Sequence, residues 1–451
     1  MQKQVPKKDS EPDVWSRLLL LLTILLPLAV LFFLPGGTLF AGGPWLWLLL
    51  LLSVWLAWWI LGLPSDAARE PSELHSHPLA AEQQPAVVRE VMEVNIAVEE
   101  AGARIFRGRL REPAASVYEK LKMSLPAETS IHLREDEDTG ASIALVPGPA
   151  EEEIQNRPIR AWTHWLLFGL TLVTTTWAGA AHQGVNLLHE PGRFATGLPY
   201  SLGLLAILGV HELGHYFAAR RHGMHVTPPY FIPVPFALGT FGAFIQMRSP
   251  AENRRMLFDV AVAGPLAGLA VAIPALLVGL QSSQVFVGKS AMFPGALGGG
   301  TSVGSSFLFA LLSKLALGEA LDYGHVLRLS PLGFAGWLGL LITALNLLPI
   351  GQLDGGHMAS AMFGGRTGAT ISSVAMWSLF LLAIFVWPGL MMWAIIVFFL
   401  AGRGASPLND LTTLSPGRCR VGYATFVILA LILLPFPHGL WTSAGIHCPY
   451  L

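Results

Sequence analysis

Charge is what this sequence has least of. Only 13% of its 451 residues are Asp, Glu, Lys or Arg, against about 25% in an ordinary soluble domain. That deficit argues against a soluble enzyme with one membrane anchor and fits an integral membrane protein. The formal net charge is −1, so no global basic field is available to attract nucleic acid. Cysteine is nearly absent. Cys419 and Cys448 are the two present, and they form no CxxC pair, so neither a cysteine zinc site nor a redox couple is indicated. No Arg/Ser-rich amphipathic leader precedes the first apolar run. An organelle transit peptide is therefore not indicated, and a prokaryotic plasma membrane is the expected location.

What is abundant is apolar. Hydrophobic residues make up 53% of the chain, beside 47 Gly and 32 Pro, which membrane helices tolerate where broken backbone lines a cavity or is buried in protein. A span takes about 20 apolar residues. Candidate spans are Trp15–Leu34, Trp45–Leu63, Trp162–Ala181, Leu198–Ala219, Met256–Leu280, Pro331–Leu348, Ile371–Trp387 and Val421–Leu434. Leu390–Ala401 is a ninth span, a re-entrant helix, or the second half of a helix broken at Pro388-Gly389. Ser305–Leu317 is too short to cross and reads as interfacial. The expected fold is thus a polytopic α-helical membrane protein with eight or nine transmembrane helices. Lys3, Lys7, Lys8 and Arg17 precede the first span and place the N-terminus in the cytoplasm. Threading onward puts Arg220, Arg221, Arg254, Arg255 and Arg366 on that same side.

Residues 65–160 differ. Ser65–Val88 reads as a polar linker, and Met92–Pro147 as a small cytoplasmic α/β domain. In the latter, Ile131 and Leu133 alternate with His132 and Arg134 as in a half-buried strand. Asp138-Thr139-Gly140 turns into a second strand, Ala141–Val146, and Val117, Leu121 and Leu125 recur at helical spacing. The chain divides into an N-terminal hairpin (1–64), linker and α/β domain (65–160), a catalytic membrane core (161–362) and C-terminal helices (363–451).

Inside the fourth candidate span lies His211-Glu212-Leu213-Gly214-His215. Positions i and i+4 share one helix face, so both histidines can grip one metal ion with Glu212 beside it. Ionisable residues inside a membrane are costly and are functional by default. With Arg220 and Arg221 at the water boundary, His215 lies roughly 8 Å and His211 roughly 14 Å below it, at about 1.5 Å per residue. Catalytic zinc takes three protein ligands and keeps a position open for water. Among the later spans the outstanding acid is Asp354, in Asn346…Leu353-Asp354-Gly355-Gly356-His357, where two glycines let the backbone approach closely. His357 is the competing ligand or a partner of one. His222 and His225 read as interfacial histidines rather than a second metal site, and His75 and His77 as loop histidines.

The His211–His215 motif, Gly264-Pro265, and Asn346…Leu353-Asp354-Gly355-Gly356, in this order over roughly residues 199–362, resemble the site-2 protease family of intramembrane zinc metalloproteases. Pro228-Pro229-Tyr230-Phe231-Ile232-Pro233 and Gly239-Thr240-Phe241-Gly242-Ala243-Phe244-Ile245 are similar to the branch with chloroplast EGY-type proteases and their bacterial relatives. The domain around Ile105–Pro147 and Asn409-Asp410 also resemble that branch. The resemblance implies one Zn2+ per chain held by His211, His215 and Asp354, with Glu212 as general base. It implies that Asn346 donates a hydrogen bond to the tetrahedral oxyanion. It also implies that Gly239–Ile245 forms a re-entrant strand offering its edge to an extended substrate. No segment long enough for a PDZ domain separates the two halves of the motif.

The reaction expected is zinc-dependent cleavage of transmembrane segments of other membrane proteins near the cytoplasmic face. The partners are then the bilayer and a membrane-protein substrate, with no nucleic acid. Two other readings stand beside it. One is a non-proteolytic zinc-binding membrane protein, such as a transporter or chaperone-like binder, which should carry polar residues along several spans. The other is a membrane zinc protease of another family, with glutamate as third ligand.

Overall fold

The computed structural model describes residues 77–80, 84–100, 102–126, 128–136, 138–147, 161–235, 238–287, 306–318, 325–385, 390–400 and 406–434. They fall in one compact unit, His75–Ala291 with Ser302–Leu451. The expected spans Trp15–Leu34 and Trp45–Leu63, together with His75, Cys448 and the break at Pro388-Gly389, lie outside the described residues.

The α/β domain is a five-stranded antiparallel sheet with helices on one face. Its elements are β1 (His77–Pro78), α1 (Ala86–Val91), β2 (Met92–Glu100), β3 (Ala103–Leu110), α2 (Ala114–Ser124), β4 (Thr129–Asp136) and β5 (Gly140–Pro147), in the order β1-β2-β3-β5-β4. Alternation decides which side is buried. Phe106, Ile131, Leu133, Ile143 and Leu145 point inward against Val88, Val91, Val117 and Leu121 of the two helices. The expected linker therefore ends early: His77 pairs with Glu99, and α1 begins at Ala86. Asp136 accepts from the Thr139 backbone N–H at 3.1 Å. That closes the β4–β5 turn and, with the Thr139 hydroxyl as first cause, holds the Asp136 carboxyl below its usual range.

The rest is mainly helical. The elements are α3 (Ala161–His182), α4 (Leu198–Arg221, entered through a 3-10 turn from Pro191), β6 (Tyr230–Pro233), β7 (Thr240–Phe244), α5 (Arg254–Gln281), β8 (Gln284–Val287), α6 (Phe307–Leu317) and β9 (His325–Arg328), followed by α7 (Pro331–Leu347), α8 (Asp354–Phe363), α9 (Gly365–Phe385), α10 (Leu390–Leu400) and α11 (Pro416–Leu433). Among the described residues, four helices are long and apolar enough to cross a membrane: the Pro191–Arg221 stretch ending in α4, then α5, α9 and α11. Two expected spans differ for local reasons. α3 forms with nearly the expected bounds but is rich in threonine. Its hydroxyls bond back to carbonyls one turn earlier, as from Thr171 to Leu167 and from Thr176 to Leu172, which satisfies them without water. α7 is 17 residues long, short of the span length of about 20. It starts at Pro331 under a Ser330 cap that accepts from Gly333 N–H and gives way beyond Leu347 to the turn at Pro349.

α4, α5 and α7 pack together as the centre of the molecule, around Ile207, Leu269, Ala272, Leu276, Leu340 and Ala344. Glycines permit this closeness. A Cβ on Gly336 would stand 2.6 Å from the Leu276 nitrogen, and one on Gly214 would stand 2.6 Å from the Ala263 carbonyl oxygen.

A candidate metal centre between two helices

The centre starts from the helix period. His211 and His215 are four residues apart on α4, and both are buried. Their Nε2 atoms stand 3.2 Å apart. Asp354 is the first residue of α8, where a negative charge meets the positive end of the helix. Its Oδ2 lies 3.4 Å from His211 Nε2 and 3.3 Å from His215 Nε2. The three donor atoms form the one such cluster found among the described residues. Ligand atoms at tetrahedral zinc, with bonds of about 2.0–2.1 Å, stand about 3.3–3.4 Å from one another. The donor triangle has that size, so the residues present fit zinc without rearrangement.

The surroundings fix each ligand. His215 Nδ1–H donates to the Val260 carbonyl at 2.8 Å, which leaves the Nε2 lone pair facing the centre. The His215 ring rests on the backbone of α5: a Cβ on Gly264 would stand 2.1 Å from Nε2. Gly268 lies under His211 in the same way, at 3.1 Å from Nδ1. Gly264 and Gly268 thus bear the ligand rings as well as letting α4 and α5 approach. Gly355 and Gly356 bring Asp354 in. A Cβ on Gly355 would stand 1.9 Å from the Leu347 oxygen, and one on Gly356 would stand 2.4 Å from the Gly351 oxygen.

Glu212 is 6% exposed, next to the cluster on the same helix, with the backbone N–H of Ile245 near its carboxyl. The Asn346 side-chain amide nitrogen stands 3.4 Å from His211 Nε2. His357 is buried in α8 and is not part of the three-donor cluster. His222 pairs with Asp259 at 3.0 Å, and His225 is exposed. Cys419 is a free thiol.

Residues 239–245 form part of a hairpin. β7 pairs antiparallel with β6, with a bulge between Phe231 and Pro233. The strand runs Thr240–Phe244, shorter than the expected Gly239–Ile245. Gly239 lies in the turn at φ +82, pressed on α3, where its carbonyl accepts from Thr174 Oγ1 at 2.7 Å. Thr240 is buried, donating to the Ile232 carbonyl and accepting from Gly242 N–H. Phe241 and Phe244 are exposed, at 69% and 47%. Tyr200 reaches from α4 to donate to the Leu238 carbonyl at 2.9 Å. No sequence motif marked Thr174 or Tyr200. They are isolated polar groups in apolar runs, and that is the one signal they give.

Two histidines and a carboxylate at tetrahedral spacing, with a glutamate adjoining, make a donor set that fits a catalytic zinc ion, set here among helices long and apolar enough for a membrane. Residues 199–387 match the family model described as Peptidase family M50. An Oryza sativa subsp. indica protein named "Probable zinc metalloprotease EGY2, chloroplastic" is 32% identical over 349 residues, covering 74% of this chain and 62% of that protein. Its Arabidopsis thaliana namesake is 30% identical over 351 residues, covering 74% and 61%. The Arabidopsis thaliana "Probable zinc metalloprotease EGY1, chloroplastic" is 28% identical over 384 residues, covering 76% and 68%. The chain thus spans about three-fifths of the length of the EGY2 relatives. No solved structure matches it. The names place these relatives in chloroplasts and lend no support to a prokaryotic plasma membrane.

Proposed function

We propose that the chain is a zinc-dependent intramembrane endopeptidase, multi-pass in its membrane, that cleaves transmembrane segments of other proteins near the cytoplasmic face. The observation that carries this reading is the donor triangle of 3.2–3.4 Å beside Glu212, in a helix fit to cross a membrane. His211, His215 and Asp354 hold the ion. Bound there, zinc supplies a Lewis acid that brings the pKa of water to about 7. Glu212 takes the proton from the attacking water and delivers it to the leaving amine. Asn346 donates to the oxyanion of the scissile carbonyl.

A helical target hides its peptide bonds and must be extended before it can be cut. The β6–β7 hairpin is suited to that. It leads to the site at Ile245, whose N–H lies near Glu212, and it presents Phe241 and Phe244 to an apolar chain. Main-chain pairing along Gly239–Ile245 holds the substrate extended. The basic residues at the ends of α4 and α5 support a cytoplasmic position for this side of the molecule, together with the 65–160 segment. The partition into 1–64, 65–160, 161–362 and 363–451 follows the same threading.

The test is Glu212→Gln in the full chain with a membrane-protein substrate. The variant should keep its zinc and lose cleavage by about 10²–10⁴-fold, the usual contribution of a general base. Cleavage at the wild-type rate would overturn the mechanism. Comparing membrane fragments in cells carrying wild type and variant would identify the substrates.

A further inference from the structure

The segment after α10 carries Asn409-Asp410, which the metal chemistry leaves without a part. Asp410 is 7% exposed. Its Oδ1 accepts from Arg254 Nε at 2.8 Å and its Oδ2 from the Gly365 backbone N–H at 3.2 Å. Those two donors begin the two elements that matter to the centre. Arg254 is the first residue of α5, which two turns on supplies the Val260 carbonyl to His215 and then Gly264 beneath the ring. Gly365 begins α9 directly after α8, whose first residue is Asp354. One carboxylate therefore joins the base of the histidine half to the end of the aspartate half.

The joint is built closely. A Cβ on Gly364 would stand 2.7 Å from an Arg254 guanidinium nitrogen, and one on Gly365 would stand 3.0 Å from Asp410 Oδ2. Both partners of the pair are largely buried, with side chains 13% and 11% exposed. A buried guanidinium that loses its carboxylate is left uncompensated and must move toward water. Here the guanidinium belongs to the first residue of α5, so its displacement acts at the start of that helix.

The geometry points to Asp410 as a positioning residue that sets the separation between the His211–His215 pair and Asp354. It touches neither metal nor substrate, and it rests on the zinc reading of that site. A donor triangle that opens by a few tenths of an ångström no longer matches tetrahedral zinc, so affinity and coordination geometry change together.

The experiment uses the purified full chain, with zinc affinity measured by chelator competition and the absorption spectrum of the cobalt(II)-substituted protein. Asp410→Asn keeps the size and an acceptor for Gly365 and removes the charge. It should weaken zinc roughly tenfold, as loss of a ligand-orienting partner does, and lower the intensity of the tetrahedral cobalt bands. Lys120→Ala, which breaks the exposed Lys120–Glu112 pair on the α/β domain, should change neither. Wild-type zinc affinity and cobalt spectrum in Asp410→Asn would overturn the inference. If that variant does not fold, Arg254→Lys carries the test, since it keeps the charge and loses the planar fork. It must then show the same two changes, and its being wild-type in both overturns the inference. Wild-type protein that binds no zinc would instead defeat the functional reading and the inference with it. The two failures are thus told apart by which protein shows them.

Discussion

Each ligand at the centre depends on a residue with no chemistry of its own. Gly264 is the clearest instance, because the His215 imidazole occupies the space a Cβ would fill. Gly264→Ala therefore forces either the ring or α5 to move. Over-packing of a tight contact costs about 1–3 kcal/mol, and here the displaced group is a ligand. Zinc content after dialysis should fall well below one per chain, cleavage should fall with it, and helicity should stay at the wild-type level. Gly223→Ala is a useful contrast, because Gly223 has nothing within 4 Å of its Cβ position. Its φ of +75 makes alanine strained there, so that variant should lose some thermal stability and keep its zinc. Full zinc retention in Gly264→Ala would show that the ring has room the structure does not give it. The residues themselves were unequally legible. His211, Glu212 and His215 announce themselves through the i, i+4 rule, and Asp354 as an acid in an apolar stretch flanked by glycines. Gly264 stood out only within the Gly264-Pro265 motif, since nothing in one sequence says which side chain rests on a glycine.

Among the elements, the hairpin is the one held by few bonds near the centre. Thr174 Oγ1 donates to the Gly239 carbonyl, and Tyr200 to the Leu238 carbonyl. Tyr200→Phe leaves the Leu238 carbonyl without this donor, at about 1–3 kcal/mol where it is buried, and Thr174→Val leaves the Gly239 carbonyl with the Val234 N–H alone, at 3.1 Å. Neither side chain touches the donor triangle. The double variant should bind zinc as wild type does and cleave about five- to tenfold more slowly, with the larger share of the loss in KM. An equal loss of zinc would show instead that the hairpin supports the metal. The resemblance pointed to this strand as Gly239–Ile245, while β7 runs Thr240–Phe244. The turn and Thr240 fold inward, so the strand is shorter. Helix ends were read within a few residues wherever a proline or an arginine pair closed the apolar run, as at Pro331 and Arg220-Arg221. The number of spans was not readable in this way. Length and apolarity diverge in α3, whose threonines bond back to its own carbonyls, and in α7, which is apolar but only 17 residues long.

At the scale of the molecule, the α/β domain and the membrane helices are joined through backbone. Leu133 N–H donates to the Leu408 carbonyl at 2.8 Å, and Asp410 N–H to the Leu133 carbonyl at 2.9 Å. On the other side Leu408 N–H and Asn409 N–H donate to the carbonyls of Ala251 and Glu252. Residues 408–410 thus lie between the edge strand β4 and the lead-in to α5. This covers an edge that would otherwise invite pairing with another chain. Asn409 fixes the arrangement: its side chain donates to the Ala114 carbonyl at the start of α2 and accepts from Leu411 N–H. None of this was legible beforehand, because the partners are far apart in sequence, Ala114 and Asn409 by 295 positions. In Asn409→Ala, the bonds to Ala114 and Leu411 are lost together. The amides of 129–136 and 406–412 then open as one unit, because each strand is protected by the other. Hydrogen exchange measured by mass spectrometry should speed up by about five- to tenfold in both segments, corresponding to about 1–1.4 kcal/mol of local stability. Exchange in α3, which has no bond to this segment, should not change. Faster exchange in 406–412 alone, with 129–136 at the wild-type rate, would mean that β4 keeps its protection without the strap and that the domain is only loosely attached to the helices that carry the metal centre.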